Sequence, residues 1–499
     1  MKLTDVLKRS KWIGILLTGL FSLHAETNFL KTRLHAPIPM NWKKSLDVGY
    51  TDYLGNLISA TEIRCLAVFN DTLYAGGGVW CDSYTSNDTR GAQVYALGSP
   101  VAEGGQWKVD LQLNERNDVK IEDKIIQNLL RYFAITYMDT LTFTTNESGA
   151  SLAEPVQMLV AGVWQLWDGL VVFYKKVNTV TGQTSGWRRS VLIEETGMVP
   201  DPEQINYSIR SLKKYKDPLN NTDYLFAGTG RGKGSHDPAI YRAAYNDTYG
   251  ELSWEKESWY PGEEPEQNNR IVSICIANGE IYATVCGKIY KRDNATGTWS
   301  IVYHYANESS GPPGRHAFRA ATTIYNNDDR KEYILLGLES TMGDVTKPVY
   351  IGTFEPISKK INIEMDVREA LAYMWKMNIG NALPAYNSYR EFNYCGRTIH
   401  FFGIEANVGQ ADPHAWHGWK PEGWLYIRWG TNGALNESYY SMQKIVDFDD
   451  PDKIMVSVRT IMPSPFYNEK GKVIYAGGFD CSFQSCHNTG WLYRGEILE

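Results

Sequence analysis

The sequence predicts an all-β chain folded as a single seven-bladed β-propeller, whose last blade is completed by an N-terminal strand. Three observations predict it: a strand-like run recurs at seven places, an aromatic run follows each copy, and one unmatched strand lies near the N-terminus. Composition agrees, because 499 residues with 44 Gly, 20 Pro, 32 Tyr and 16 Trp suit a globular protein rich in strands and turns.

The recurring unit is expected to contain four strands, A to D. Strand C follows strand B as a short run around a Tyr, such as QVYAL at Gln93 and WLYRG at Trp491. Such alternation around a central Tyr fits a strand packed between neighbours. Strand B reads LYAGGG at Leu73, LVAGVW at Leu159, LFAGTG at Leu225, IYATVC at Ile281, LLGLES at Leu335, FFGIEA at Phe401 and IYAGGF at Ile474.

The seventh copy has no strand D, because the sequence reaches Glu499 first. Near the N-terminus, WKKSLDV at Trp42 aligns with the first strand D, WKVDLQL at Trp107. We expect residues 42–48 to complete the last blade, because an open ring leaves unpaired strand edges. Six or eight blades are alternatives, since the spacing is uneven and Arg368 to Tyr386 could form a helical excursion.

Residues 1–25 have the three parts of a secretory signal. A basic stretch ends at Lys11, an apolar run extends from Trp12 to Leu23, and Leu23-His24-Ala25 forms a cleavage site. We expect cleavage after Ala25, which leaves residues 26–499 as one exported domain without a membrane span. An uncleaved anchor is the alternative, although the apolar run is short for a bilayer.

Nine Asn-X-Ser/Thr sequons also fit a secreted, N-glycosylated protein. The alternative is that Asn, Ser and Thr are simply common in turns. The formal net charge is −7 and no basic block occurs, which argues against a nucleic-acid partner. The sequons begin at Asn70, Asn87, Asn146, Asn206, Asn220, Asn246, Asn294, Asn307 and Asn436.

Long loops between strands B and C nominate one face of the propeller as the functional face. Loops on a rigid scaffold usually carry binding and catalysis. Five histidines fall in such loops and are candidate acid or base catalysts, while Trp164 and Trp416 are candidate platforms for a sugar. The alternative is that polar loops merely collect polar residues. The histidines are His236, His316, His414, His417 and His487.

Arginines open strand A in most copies, and strand A borders the central channel. One interpretation is that each arginine bridges its blade to a neighbour. The other is that guanidinium groups at the channel mouth bind an acidic ligand. Arg270 lies slightly out of register. The candidate substrate-binding arginines are Arg64, Arg131, Arg210, Arg319, Arg390 and Arg459.

Three cysteines lie in the long loops of the first and seventh blades, which become neighbours when the ring closes. Cys81 could form a disulfide with Cys481 or Cys486, or the latter two could pair locally. All three with His487 could instead form a structural zinc site, and free thiols are the third alternative. Cofactors are otherwise unknown, with structural zinc or calcium as candidates.

The expected function is an exported polysaccharide-active enzyme, most plausibly a lyase that acts on acidic glycans by β-elimination. Arginines would neutralise the uronate carboxylate, and histidines would move the protons. A glycoside hydrolase using carboxylates such as Asp82, Glu405 and Asp480 is a variant. The alternative is a non-catalytic, lectin-like or cell-surface binding propeller on the same face.

Overall fold

The computed structural model describes most of the chain after residue 37. No helix in this part of the chain is long and apolar enough to cross a membrane. The described ranges are 38–46, 48–79, 90–121, 124–166, 169–178, 181–194, 207–231, 238–257, 270–285, 287–305, 317–326, 329–339, 348–376, 379–394, 396–411, 419–430, 438–446, 457–479 and 490–498.

The described strands form consecutive four-stranded antiparallel units, and a single strand, β1 (Met40–Leu46), precedes them. Unit 1 comprises β2 (Glu62–Phe69), β3 (Thr72–Gly78), β4 (Ala92–Leu97) and β5 (Lys108–Leu113), with a 3-10 turn at Val101–Glu103. A hairpin of β6 (Arg116–Ile121) and β7 (Lys124–Leu130) follows. Unit 2 comprises β8 (Tyr132–Thr145), β9 (Ser151–Gln165), β10 (Leu170–Lys176) and β11 (Arg188–Ile193).

The remaining units repeat this order. Unit 3 comprises β12 (Tyr207–Asp217), β13 (Thr222–Arg231), β14 (Ile240–Asn246) and β15 (Glu251–Lys256). Unit 4 comprises β16 (Ile271–Ala277), β17 (Glu280–Val285), β18 (Lys288–Arg292) and β19 (Trp299–His304). Unit 5 comprises β20 (Ala317–Asn326), β21 (Lys331–Glu339), β22 (Val349–Glu355) and β23 (Lys360–Asp366), and helix α1 (Val367–Trp375) follows it. Unit 6 comprises β24 (Ile379–Tyr394), β25 (Arg397–Ala411), β26 (Trp419–Gly430) and β27 (Ser438–Lys444), and unit 7 begins with β28 (Ser457–Pro463), β29 (Val473–Phe479) and β30 (Gly490–Ile497).

The fourth strand of unit 7 is β1, which pairs antiparallel with β30. Trp42 lies opposite Gly495, and a Cβ added to that glycine would come within 2.5 Å of the indole. The Trp42 side chain is therefore packed flat against the last strand, where it is buried. The predicted closing strand covered residues 42–48, and the observed strand covers Met40–Leu46.

The first strands of the units contact one another in sequence. Each contacts the first strand of the next unit, and β28 of unit 7 contacts β2 of unit 1. The units are thus arranged around a common axis lined by their first strands. The prediction of an all-β chain built from repeated units is confirmed.

Two kinds of tight turn recur on the end of the units where strand A meets strand B and strand C meets strand D. The two-residue turns Asn70-Asp71 and Asn278-Gly279 have positive φ at both positions, which suits the twist of a hairpin. Three C-to-D turns use an Asn or Asp whose side chain accepts backbone N–H bonds and whose carbonyl binds a glycine four residues later. These are Asn178 with Gly182, Asn246 with Gly250, and Asp293 with Gly297.

Neighbouring units meet at seams where a glycine of strand B faces an isoleucine of the next strand A. At the seam between units 7 and 1, a Cβ added to Gly477 would lie 2.7 Å from Cγ2 of Ile63, closer than atoms can pack. The glycine therefore makes room for the isoleucine of its neighbour. The same pairing occurs at Gly76 with Ile135, Gly162 with Ile209, and Gly228 with Ile271.

Polar side chains of strand A bind the backbone of the next strand A at the same seams. The Thr136 hydroxyl donates to the carbonyl of Ile209 at 2.5 Å, and the Ser211 hydroxyl donates to that of Ile271 at 3.2 Å. These bonds satisfy buried polar groups. Because they join one sheet to the next near the axis, they also restrict the angle between units.

Three local features differ from the sequence prediction. The hairpin β6–β7 was not predicted, although apolar and charged residues alternate in the sequence VKIEDKII that begins at Val119. The helical excursion covers only Val367–Trp375, capped by the Asp366 side chain, and a strand begins at Ile379. Strand D of unit 3 begins at Glu251 rather than at its Trp, so the tryptophan does not always lead the strand.

We predict that Gly477→Ala lowers the free energy of unfolding by about 1–3 kcal/mol, because the new methyl group overlaps Ile63. Urea unfolding followed by fluorescence measures this change. Gly98→Ala is the matched control, since a Cβ there meets nothing within 4 Å.

A double-mutant cycle tests the contact itself. In the background of Ile63→Ala, the Gly477→Ala change should cost on the order of 1 kcal/mol less. Equal costs in both backgrounds would contradict the proposed steric contact across the closing seam.

Candidate functional site

Three of the predicted arginines lie at the same structural position, a β-bulge near the start of strand A. In unit 1, Ile63 and Cys65 pair with successive residues of β3, which leaves Arg64 as the extra residue. Arg210 and Arg459 occupy the equivalent bulges of units 3 and 7. A bulge removes one side chain from the alternation between sheet faces and re-aims it. The repeat thus presents guanidinium groups at one end of the axis.

Trp164, at the end of strand B of unit 2, packs between two of these arginines. The Cζ atom of Arg210 lies 4.5 Å from the indole ring centroid, and that of Arg64 lies 5.2 Å from it. Phe133 packs against the ring at 4.2 Å between centroids. Trp164 is only 5% exposed, so it orients guanidinium groups through cation–π contacts rather than presenting an open face to a sugar.

Arg459 joins carboxylates from the two units that flank unit 7. Its Nε atom lies 3.1 Å from Oε1 of Glu62 in unit 1, and its Nη2 atom lies 3.5 Å from Oε2 of Glu405 in unit 6. Arg64 binds the other oxygen of Glu62 at 2.5 Å, and the Ser457 hydroxyl donates to Glu405 at 3.0 Å. Both carboxylates are nearly buried. Guanidinium forks of this kind match carboxylate geometry.

These contacts form a continuous chain that spans five units around the axis. We call the six residues that form it the mouth cluster. The cluster contains three guanidinium groups and two carboxylates. The members are Glu62, Arg64, Trp164, Arg210, Glu405 and Arg459.

The other three predicted arginines lie outside the mouth cluster. Arg131 pairs with Glu115 at 3.0 Å just before β8, and Arg319 pairs with Glu339 at 2.5 Å within unit 5. Arg390 lies beyond the bulge of its strand, where its Nε donates to the carbonyl of Ile461 in unit 7. The prediction that Arg390 opens strand A is therefore wrong, because β24 begins at Ile379.

The Asp139 carboxyl of unit 2 lies outside the mouth cluster. Burial raises the pKa of the Asp139 carboxyl in unit 2, although Lys213 of unit 3 and Arg390 of unit 6 act in the opposite direction. Sequence reasoning did not single out Asp139 or Lys213, which share no motif, although it named Arg390.

His400 lies in strand B of unit 6 and belongs to a buried ion cluster rather than to the functional face. Its Nδ1 lies 3.1 Å from Nη1 of Arg428, which in turn binds Glu364 of unit 5. Burial lowers the pKa of His400, and the adjacent Arg428 acts in the same direction. This cluster ties two units together.

Most of the predicted loop residues lie outside the described part of the chain. These predictions stay untested, whether they concern catalysis, a disulfide or zinc. The residues are His236, His316, His414, His417, His487, Trp416, Cys81, Cys481 and Cys486.

Two cysteines within the described ranges, Cys65 and Cys275, are buried free thiols. Burial raises the pKa of the Cys275 thiol to about 12. Across those same ranges, no three His, Cys, Asp or Glu side chains are grouped so that they could hold a metal ion.

Comparison with known proteins gives only distant structural likeness. No family model matches the sequence, and a search of curated proteins returned no match. An exo-beta-1,3-galactanase from Clostridium thermocellum is 12% identical, with 91% of this chain and 96% of that chain covered and a TM-score of 0.31.

Two further solved structures show likeness of a similar degree. Trypanosoma rangeli sialidase is 10% identical, with 75% of this chain and 58% of that chain covered and a TM-score of 0.38. A chain of the mitotic checkpoint complex is 12% identical, with 92% and 96% covered and a TM-score of 0.36. At these scores the likeness says nothing about activity.

We predict that Arg459→Met lowers the free energy of unfolding by about 3 kcal/mol, because it leaves two nearly buried carboxylates without their shared partner. Denaturant unfolding measures the loss. Lys331→Met is the control, since Lys331 forms exposed pairs and its loss should change stability by about 0.5 kcal/mol or less. Equal effects of the two substitutions would contradict the assignment of Arg459 as a bridge.

Proposed function

We propose that this chain is an exported, glycan-active enzyme that acts on acidic polysaccharide at the mouth cluster of a seven-bladed propeller. The seven blades are the four-stranded units, with β1 as the outer strand of the last one. The pairing of β1 with β30 and the contacts from β28 back to β2 support this count. The signal-like residues 1–25 and the sequons support export.

The observation that carries the proposal is the mouth cluster itself. Four units contribute guanidinium or carboxylate groups, and unit 2 contributes Trp164, to one connected group at the end of the axis where strands B lead into long loops. Stacking on Trp164 and pairing with Glu62 hold the guanidinium planes in fixed orientations. Preorganised guanidinium groups favour binding of a carboxylate or sulfate.

The reaction that we propose first is β-elimination on a uronate-containing glycan. Arg64 and Arg210 would neutralise the uronate carboxylate, which makes the neighbouring proton more acidic. A base then removes that proton and an acid protonates the leaving oxygen. The candidates for both roles are the loop histidines His236, His316, His414, His417 and His487.

Glycoside hydrolysis is the second candidate reaction. It is favoured by one observation, the convergence of Glu62 and Glu405 from different units on Arg459. Paired carboxylates are the usual catalytic groups of hydrolases. A lectin-like protein would use the same cluster for binding without proton transfer.

We predict that Arg210→Met lowers kcat/KM on an acidic polysaccharide by at least about tenfold, because each lost charge-assisted contact costs on the order of 1.5–3 kcal/mol. The assay follows both new reducing ends and the ultraviolet absorbance of unsaturated uronate products. Lys331→Met is the control, since Lys331 lies at the start of strand B of unit 5, at the other end of the unit.

The two readouts separate the candidate reactions. Reducing ends with absorbance indicate a lyase, and reducing ends without absorbance indicate a hydrolase. Binding of the polysaccharide without any product would contradict the enzyme proposal in favour of a lectin-like protein. An unchanged rate in Arg210→Met would contradict the placement of the site.

A further inference from the structure

A cavity of about 540 Å³ lies between units 2 and 3, far from the mouth cluster. One wall is the start of β9 at Glu154, Pro155 and Val156, and another is the turn that follows β10. Trp164 of the mouth cluster lies nine residues further along β9, which corresponds to about 30 Å of extended strand. The cavity therefore opens at the opposite end of the ring and is a separate site.

Lys176 supplies a positively charged group to this cavity. Its Nζ donates to the carbonyl of Gly250 in unit 3 at 2.7 Å and lies 3.4 Å from the hydroxyl of Tyr245. These contacts fix the ammonium across the seam between the two units. Among the described residues Lys176 forms no ion pair, so both of its fixed contacts are neutral.

The electrostatics around the Lys176 ammonium favour an anion beside Nζ, while the cavity lining also contains the carboxylate of Glu154. Burial lowers the pKa of Lys176, and the positive charge of Arg188 lowers it further. A partly buried ammonium next to a second cation gains stability when a negative charge binds nearby. Geometry and charge thus both point to an anionic ligand group beside Nζ.

The rest of the lining suits the remainder of a sugar. The ring of Tyr245 and the side chains of Pro155 and Val156 offer apolar surface for C–H groups. The turn after β10 adds hydroxyl and amide groups that can bind sugar hydroxyls, and the volume lies in the range typical of small-molecule sites. These polar residues are Asn178, Thr181, Gln183, Thr184 and Ser185.

We infer that this cavity is a second binding site, specific for a sugar acid of monosaccharide size, whose carboxylate pairs with Lys176. The inference does not depend on the reaction at the mouth cluster. Lys291 of unit 4 lies at the same distance in sequence from its C-to-D turn, but it pairs with Glu280 at 2.6 Å, which neutralises its charge.

Isothermal titration of the full chain with glucuronic acid, glucose and inorganic phosphate tests the inference. Glucuronic acid should bind, glucose should bind at least about tenfold more weakly, and Lys176→Met should weaken glucuronic acid binding by a similar factor. Lys291→Met is the matched control and should leave binding unchanged.

Gln183→Trp provides a second variant that does not depend on Lys176. Its side chain is exposed at the cavity wall, so a tryptophan should block the cavity without disturbing the core, and unchanged thermal unfolding checks the fold. The inference would be overturned if glucuronic acid does not bind or if glucose binds equally well. It would also be overturned if only phosphate binds, or if glucuronic acid binding survives both variants.

Discussion

The close packing of a strand-B glycine against an isoleucine of the next unit is the contact on which the ring depends. It recurs at several seams and includes the seam where unit 7 meets unit 1, some four hundred residues apart in sequence. A larger residue in place of Gly477 would push the units apart at the axis. Hydrogen bonds from a hydroxyl to a carbonyl, such as that from Thr136 to Ile209, then hold neighbouring units at the short distance that the glycine permits.

The mouth cluster lies next to these packed seams. One residue of strand A is left out of the pairing as a bulge beside the isoleucine of units 1 and 3 and beside Val458 of unit 7, and in these three units that residue is an arginine. The two interpretations of the arginines, as bridges or as anion sites, are therefore not exclusive. Arg459 bridges two units through Glu62 and Glu405, and by doing so it orients a guanidinium at the mouth.

The repeat and the positions of Arg64, Arg210 and Arg459 could be predicted from sequence, because both follow from local periodicity. The carboxylate partners could not, since the contact from Arg459 to Glu62 joins opposite ends of the chain. Arg390 was misplaced because the bulge in its strand shifts the register by several residues. The role of Trp164 depends on neighbours from two other units, which no local pattern reveals.

Cysteine cross-linking across the closing seam tests the central claim of a closed ring most directly. Cβ of Ile63 would lie 3.2 Å from a Cβ added at Gly477, within small adjustment of the roughly 3.8 Å of a disulfide. The reference pair is Gly228→Cys with Ile271→Cys, at a seam between units adjacent in sequence. We predict that Ile63→Cys with Gly477→Cys cross-links as readily as the reference pair, as measured by mass spectrometry of linked peptides. A reference pair that oxidises while the closing pair stays reduced would contradict ring closure.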